Sequence, residues 1–140
     1  MKKIPWLIWK NLPWVFVVGI LLINLKLNTG PSLSDGEATR RDVARQLAYL
    51  ERQIHEKDLG RRMQRLFPEG FLFAHALYGL AWCELAIAEP DVYADRALHE
   101  ARYAFSQINS DLGRATFPED MVPAYGLFYN AWRNYLAAKV

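Results

Sequence analysis

The chain has 140 residues, enough for one small domain in addition to the apolar N-terminal segment. Hydrophobic residues make up 52% of the chain and aromatic residues 14%, a composition that excludes wholesale disorder. The net charge is +2, but beyond residue 27 thirteen basic residues face fifteen acidic ones, so the soluble part is expected to be slightly acidic. Cys83 is the only cysteine, which excludes an intramolecular disulfide and a cysteine-rich metal cluster.

Residues 1–27 are predicted to form a membrane anchor. The stretch from residue 11 to residue 25 is uncharged and lies between Lys10 and Lys26, which can extend toward the two membrane interfaces. A cleavable secretory signal is the alternative, but residues 25–31 lack an A-x-A-like cleavage site. We therefore expect a single-pass protein of the cell inner membrane with its soluble domain outside the cytoplasm.

A linker over residues 28–34 is predicted from its turn-forming composition, and the helical domain is predicted over residues 35–140. Ser34 and Glu37 have the spacing of a capping box, which favours a helix start at this point.

An internal repeat divides the domain. Asp58-Leu59-Gly60-Arg61 recurs as Asp111-Leu112-Gly113-Arg114, and Phe67-Pro68-Glu69 recurs as Phe117-Pro118-Glu119. The glycines are predicted to end helices in the left-handed conformation, and the prolines are predicted to occupy first helical positions. Each joint is therefore predicted to be a helix stop followed by a helix start.

Periodicity predicts four helices after the anchor, arranged as repeated αα-hairpins in a small all-α bundle. Their predicted bounds are residues 35–59, 69–88, 91–109 and 119–138. The second of these is apolar on nearly every side and is long enough to be tested as a membrane span. Its His75 and Glu84, and the polar residues of the repeat-related fourth helix, favour a place inside the soluble bundle instead.

Residues 65–140 resemble the opening helices of bacterial α/α-toroid proteins, such as linalool dehydratase-like and glucuronyl epimerase-like proteins. The resemblance is carried by Ala97-Leu98-His99-Glu100-Ala101-Arg102-Tyr103, by Phe117-Pro118-Glu119-Asp120 and by residues 123–132. It implies helical hairpins that close into a barrel in an enzyme acting on a lipid or a saccharide. Such a barrel needs several more hairpins, so we expect one of three arrangements: the chain is a piece of a longer protein, its last helix packs against another chain, or its last helix closes a four-helix bundle.

Few residues in the sequence are candidates for catalysis or for metal binding. Toroid enzymes place acidic groups at helix starts, so the acid/base candidates under that hypothesis are Glu69, Glu119 and Asp120, together with His75. Placement at the positive end of a helix dipole is the favoured explanation of the acidic residues, and a lone histidine on an apolar helix is more often a core residue. His55 and His99 lack the spacing of a metal-binding helix, and Glu100 is expected to point away from His99. No metal or cofactor is predicted.

The main hypothesis is a membrane-anchored helical interaction or scaffold module, or an accessory subunit of a membrane complex; the toroid enzyme fragment is the alternative. The partners of the module would be the membrane and another protein chain. Nucleic acid is not expected as a partner, because the aromatic residues follow core periodicity rather than the pattern of nucleic-acid binders. Aromatic residues anchor many protein interfaces, which makes the aromatic fourth helix the candidate partner surface. Its residues are Tyr125, Tyr129, Trp132 and Tyr135.

Overall fold

The computed structural model describes residues 6–28 and 36–140, and all regular secondary structure within these ranges is helical. The helices are α1 (Trp6–Asn28), α2 (Gly36–Lys57), α3 (Leu59–Gln64), α4 (Gly70–Ala88), α5 (Pro90–Ile108), α6 (Asp111–Arg114) and α7 (Gly126–Ala137). The chain divides into two compact units, residues 1–39 and residues 40–140. Ser34 and most of the predicted linker lie outside the described residues.

In the first unit, α1 is a continuous helix of 23 residues. From Trp14 to Leu25 its large apolar side chains are exposed, each to 44% or more. This apolar segment is shorter than a full membrane span, and α4 is the one helix in the described residues that is long and apolar enough to cross a membrane. Within its apolar window, 56% of the residues of α4 are buried by protein.

The second unit is built around α4, which packs against α3, α5, α6 and α7. Its buried face includes Leu72, Tyr78 and Trp82, each 2% exposed or less. Burial of a large apolar side chain contributes about 1.5–3 kcal/mol, so these residues supply much of the driving force for folding. Glu89 and Pro90 separate α4 from α5, as their sequence predicts.

Contacts between the helices define their directions. Along α4, Tyr78 meets Glu100 while Trp82 meets Tyr93, so α4 and α5 are antiparallel. Phe73 meets Phe128 and Glu84 meets Lys139, so α7 runs parallel to α4. In the same way, residues 40, 51 and 55 of α2 meet residues 89, 96 and 100, so α2 runs parallel to α5.

The repeated Asp-Leu-Gly-Arg motif does not end helices with a left-handed glycine. Gly60 and Gly113 lie inside the short helices α3 and α6, and the residue with positive φ at the first joint is Asp58, at 50°. Both glycines are buried because neighbouring atoms lie where a side chain would be. A Cβ on Gly60 would lie 2.4 Å from His75 Cε1, and one on Gly113 would lie 2.2 Å from the Ile108 carbonyl oxygen.

Three of the four predicted helices match α2, α4 and α5 to within two residues at each end. The prediction for the fourth is wrong at its start, because α7 begins at Gly126 rather than at residue 119. Residues 115–125 form turns and a loop, and neither Pro68 nor Pro118 occupies a first helical position. The helix starts late because Tyr125 takes a left-handed conformation, φ 65°, which a continuing helix does not allow.

Candidate functional site

A buried carboxylate, that of Glu100, lies in the core between α2, α4 and α5. Glu100 is 5% exposed. Its Oε2 accepts a hydrogen bond from the Tyr78 hydroxyl at 2.7 Å and lies 2.8 Å from His55 Nε2, while its Oε1 lies 2.9 Å from His99 Nδ1. A buried charge is costly unless it is paired and hydrogen-bonded, and here both oxygens have partners.

These contacts decide the protonation of the cluster. Burial alone would raise the pKa of Glu100, but the hydrogen bonds with His55, Tyr78 and His99 outweigh burial and hold its pKa below the usual value. The carboxylate is therefore ionised at neutral pH. Burial first, and the bond to Glu100 second, raise the pKa of the Tyr78 hydroxyl far above its usual value, so Tyr78 stays a donor.

The third histidine of the chain, His75, lies close to this cluster. It is 3% exposed, and its Nδ1 donates to the Phe71 carbonyl oxygen at 2.9 Å. The ring of Tyr103 connects it to the cluster, with centroids 6.3 Å from His75 and 4.3 Å from His55. Burial, the largest influence, lowers the pKa of His75, which favours its neutral form.

A carboxylate bonded to an imidazole fixes the orientation and tautomer of the ring, an arrangement that also positions general bases in enzymes. In this cluster, the same bonds join α2 and α4 to α5. No group of three or more His, Cys, Asp or Glu side chains in the described residues is placed to hold a metal ion.

The expectation that Glu100 points away from His99 is wrong, because the two side chains are hydrogen-bonded. Sequence spacing missed the cluster because its members are 45 and 22 residues apart along the chain. One signal was present: Glu100 lies three residues after Ala97 and four before Ala104, on the small-residue face that α5 buries.

The structure does not bring the four acid/base candidates together. Glu69 is half-buried at the start of α4, Glu119 and Asp120 are exposed in the loop after α6, and His75 is buried in α4. Within residues 36–140, no hydrogen bond, ion pair or ring contact joins any of the four to another of them.

The candidate partner surface divides into buried and exposed members. Tyr129 is 2% exposed, and its hydroxyl donates to the Ile108 carbonyl oxygen at 3.1 Å. Tyr125 and Trp132 are half-buried, and Trp132 packs on Phe73 with ring centroids 5.2 Å apart. Tyr135 is 51% exposed and is the most accessible of the four.

Comparison of the chain with protein-family models, with curated proteins and with solved structures finds no match.

Proposed function

We propose that this chain is a membrane-anchored helical-hairpin module that binds another protein chain. The proposal of a membrane anchor rests on the exposure of apolar side chains around α1. Every residue from Trp14 to Ile23 except Gly19 is large and apolar, and each of these nine side chains is at least 44% exposed. Since consecutive residues of a helix point about 100° apart, these side chains surround the helix and leave no polar face. A helix that is apolar on all sides is typical of a membrane span.

The apolar segment of α1, Trp14–Leu25, rises about 18 Å, less than the roughly 30 Å of a bilayer's hydrocarbon core, so as a span it requires local thinning of the bilayer. The apolar helix α4 is better explained as the core of the second unit, because protein covers more than half of its apolar window. We propose α1 as a single span of the inner membrane, with residues 40–140 outside the cytoplasm.

Charged substitutions in α1 test the anchor. The double change Val18→Lys with Leu22→Lys places two charges in the middle of the helix, each costing about 2.5–3.5 kcal/mol on insertion. We expect the wild-type chain to stay in the membrane pellet after alkaline carbonate extraction and the double variant to be released. The control is Val92→Lys, at a valine of α5 that is 66% exposed, and it should stay in the pellet. Release of the wild-type chain by carbonate would rule out the anchor.

The hairpin arrangement is proposed from the order and direction of the helices. A long helix, a short Asp-Leu-Gly-Arg helix and a second long helix follow one another in α2–α4 and again in α5–α7. The first helices of the two sets are parallel, as are the last helices. Two copies of one structural unit, stacked side by side, account for both features.

The partner is proposed to dock on the exposed face of α7. Leu127, Ala131 and Tyr135 are spaced four residues apart along this helix and are exposed. Leu127 is 75% exposed and Tyr135 is 51% exposed. Residues four apart lie on one face of a helix, so we propose a partner chain that packs an apolar helix against this face.

A photo-crosslinking residue at position 127 of the full chain, in its native membrane, tests this seat. We expect one crosslinked product with another protein chain, and we expect Tyr135→Glu to abolish it. The control position is Val92. A product of twice the mass of the chain would replace the foreign partner with a second copy, and no product at position 127 would contradict the docking proposal.

A further inference from the structure

A cavity of about 350 Å³ lies where the end of α5, the short helix α6 and the start of α7 meet. This volume is at the lower end of the range of small-molecule sites, about 300–1,000 Å³. Two guanidinium groups, those of Arg114 and Arg133, line it together with Asn109 and Asn130. Tyr125 and Tyr129 form an aromatic wall, and none of the described residues that line the cavity is a carboxylate.

Arg133 has neutral partners within the described part of the chain. Its Nε donates to Asn109 Oδ1 at 2.7 Å, and its Nη1 donates to Asn134 Oδ1 at 3.3 Å. The guanidinium lies over the Phe105 ring, 5.6 Å from the centroid. Since a guanidinium carries five N–H donors in a planar fork, Arg133 keeps donors and a full positive charge for a ligand.

Arg114 has one acidic partner, and that partner is weak. Its Nη2 lies 3.2 Å from an oxygen of Asp111, a side chain fully exposed to solvent, and such exposed pairs contribute little. The same guanidinium lies over the Tyr125 ring, 5.6 Å from the centroid. Stacking on Tyr125 therefore holds a second cation at the cavity.

The local backbone is organised around this cavity. Asn130 Nδ2 donates to the carbonyl oxygens of Ala124 and Gly126 at 2.7 and 2.8 Å, which fixes the loop that carries Tyr125. Tyr125 itself has φ 65°, a conformation costly for an aromatic residue and often found at ligand-binding loops. Tyr129 lines the same cavity as Arg114 and Arg133, and its hydroxyl donates to the Ile108 carbonyl oxygen at 3.1 Å.

We propose that this cavity binds the phosphate group of a phosphate ester, with Arg114 and Arg133 as its two cationic ligands. A phosphate has up to two negative charges and several acceptor oxygens, which match two guanidinium forks better than the single charge of a carboxylate does. The tyrosine wall provides a surface for the organic part of the ester. This inference is independent of the partner seat on α7.

Calorimetric titration of the full chain with phenyl phosphate tests the site, in maltoside micelles because maltoside contains no phosphate. We expect binding to the wild-type chain, weaker binding of benzoate, and a loss of affinity of about tenfold or more in Arg114→Gln and in Arg133→Lys. Arg133→Lys keeps the charge but removes the fork. The control is Arg102→Gln, at an exposed arginine of α5 away from the cavity, which should bind as the wild type does.

A second pair of titrations separates the two sources of the ester. Phosphatidic acid added to the micelles displaces phenyl phosphate if the site takes a lipid headgroup, whereas glycerol phosphate displaces it better if the site takes a soluble ester. Either result supports the site. The proposed site is overturned if the wild-type chain does not bind phenyl phosphate, or if a folded Arg114→Gln variant binds it with unchanged affinity.

Discussion

His75 is the residue whose burial has the clearest consequence for stability. Burial lowers its pKa below the usual 6.5, so the folded state resists protonation that the unfolded chain accepts. Because the unfolded state binds more protons below pH 6.5, acidification favours unfolding, by about 1.4 kcal/mol for each unit by which the pKa is lowered. We expect the free energy of unfolding of the full chain in detergent to fall as the pH drops from 6.5 to 5.

His75→Asn should flatten this decline, whereas His99→Gln, at the exposed histidine of the cluster, should retain it. Glu100 acts in a separate window: its pKa is lowered from 4.5, so the stability it provides is lost only as the pH falls below about 4.5. Urea unfolding followed by circular dichroism at several pH values measures both effects. An unchanged slope in His75→Asn would contradict the argument.

The roles of single residues were predicted less well from the sequence than the helices were. Periodicity gives the buried face of a helix, and it correctly favoured a core position for His75. It does not give contacts between distant segments, so the bonds that His55 and Tyr78 make to Glu100 were not predictable from spacing. The available indication of the cluster was a charged residue, Glu100, on a helix face that otherwise consists of small, buried residues.

Among the elements, the short helix α6 depends on the absence of a side chain at Gly113. A Cβ at this position would lie 2.2 Å from the Ile108 carbonyl oxygen and 2.6 Å from that of Gln107, and neither backbone atom can move without disturbing the end of α5. We expect Gly113→Ala to lower the free energy of unfolding by about 1–3 kcal/mol, as overpacking does.

Gly19→Ala is the matched control for Gly113→Ala. Nothing lies within 4 Å of a Cβ built on Gly19, in the middle of α1. Urea unfolding of both variants in detergent gives the comparison, and equal stabilities would show that the close approach of α6 to α5 does not limit the fold.

The ends of the helices show which sequence signals decide an element. Pro90 correctly marked the boundary between α4 and α5, since proline cannot continue a helix but suits its first turn. Pro118 was a misleading signal, because the chain stays irregular until the left-handed Tyr125 and starts α7 at Gly126. Local propensity cannot predict a tyrosine in that conformation.

At the scale of the whole molecule, the helices of the second unit differ in how much of each is buried. Eleven residues of α4 are buried, whereas α2 buries Leu47 and Ile54. The attachment of α2 to its neighbours instead relies on polar contacts: Arg40 with Glu89 at 2.9 Å, Glu51 with Arg96 at 2.7 Å, and His55 with Glu100 at 2.8 Å. The first two of these contacts are partly exposed ion pairs, and exposed pairs contribute about 0–1 kcal/mol each.

We therefore expect residues 40–57 to open before the rest of the unit. Hydrogen exchange of the full chain in micelles, read by mass spectrometry, should show faster exchange in this segment than in α4, because local opening follows the number of buried contacts. Salt provides the control: at 1 M ionic strength the Debye length falls to about 3 Å, which weakens the partly exposed pairs of α2 but not the apolar contacts of α4. Exchange in residues 40–57 should then accelerate relative to α4, and equal protection of the two segments at both salt concentrations would contradict this order of opening.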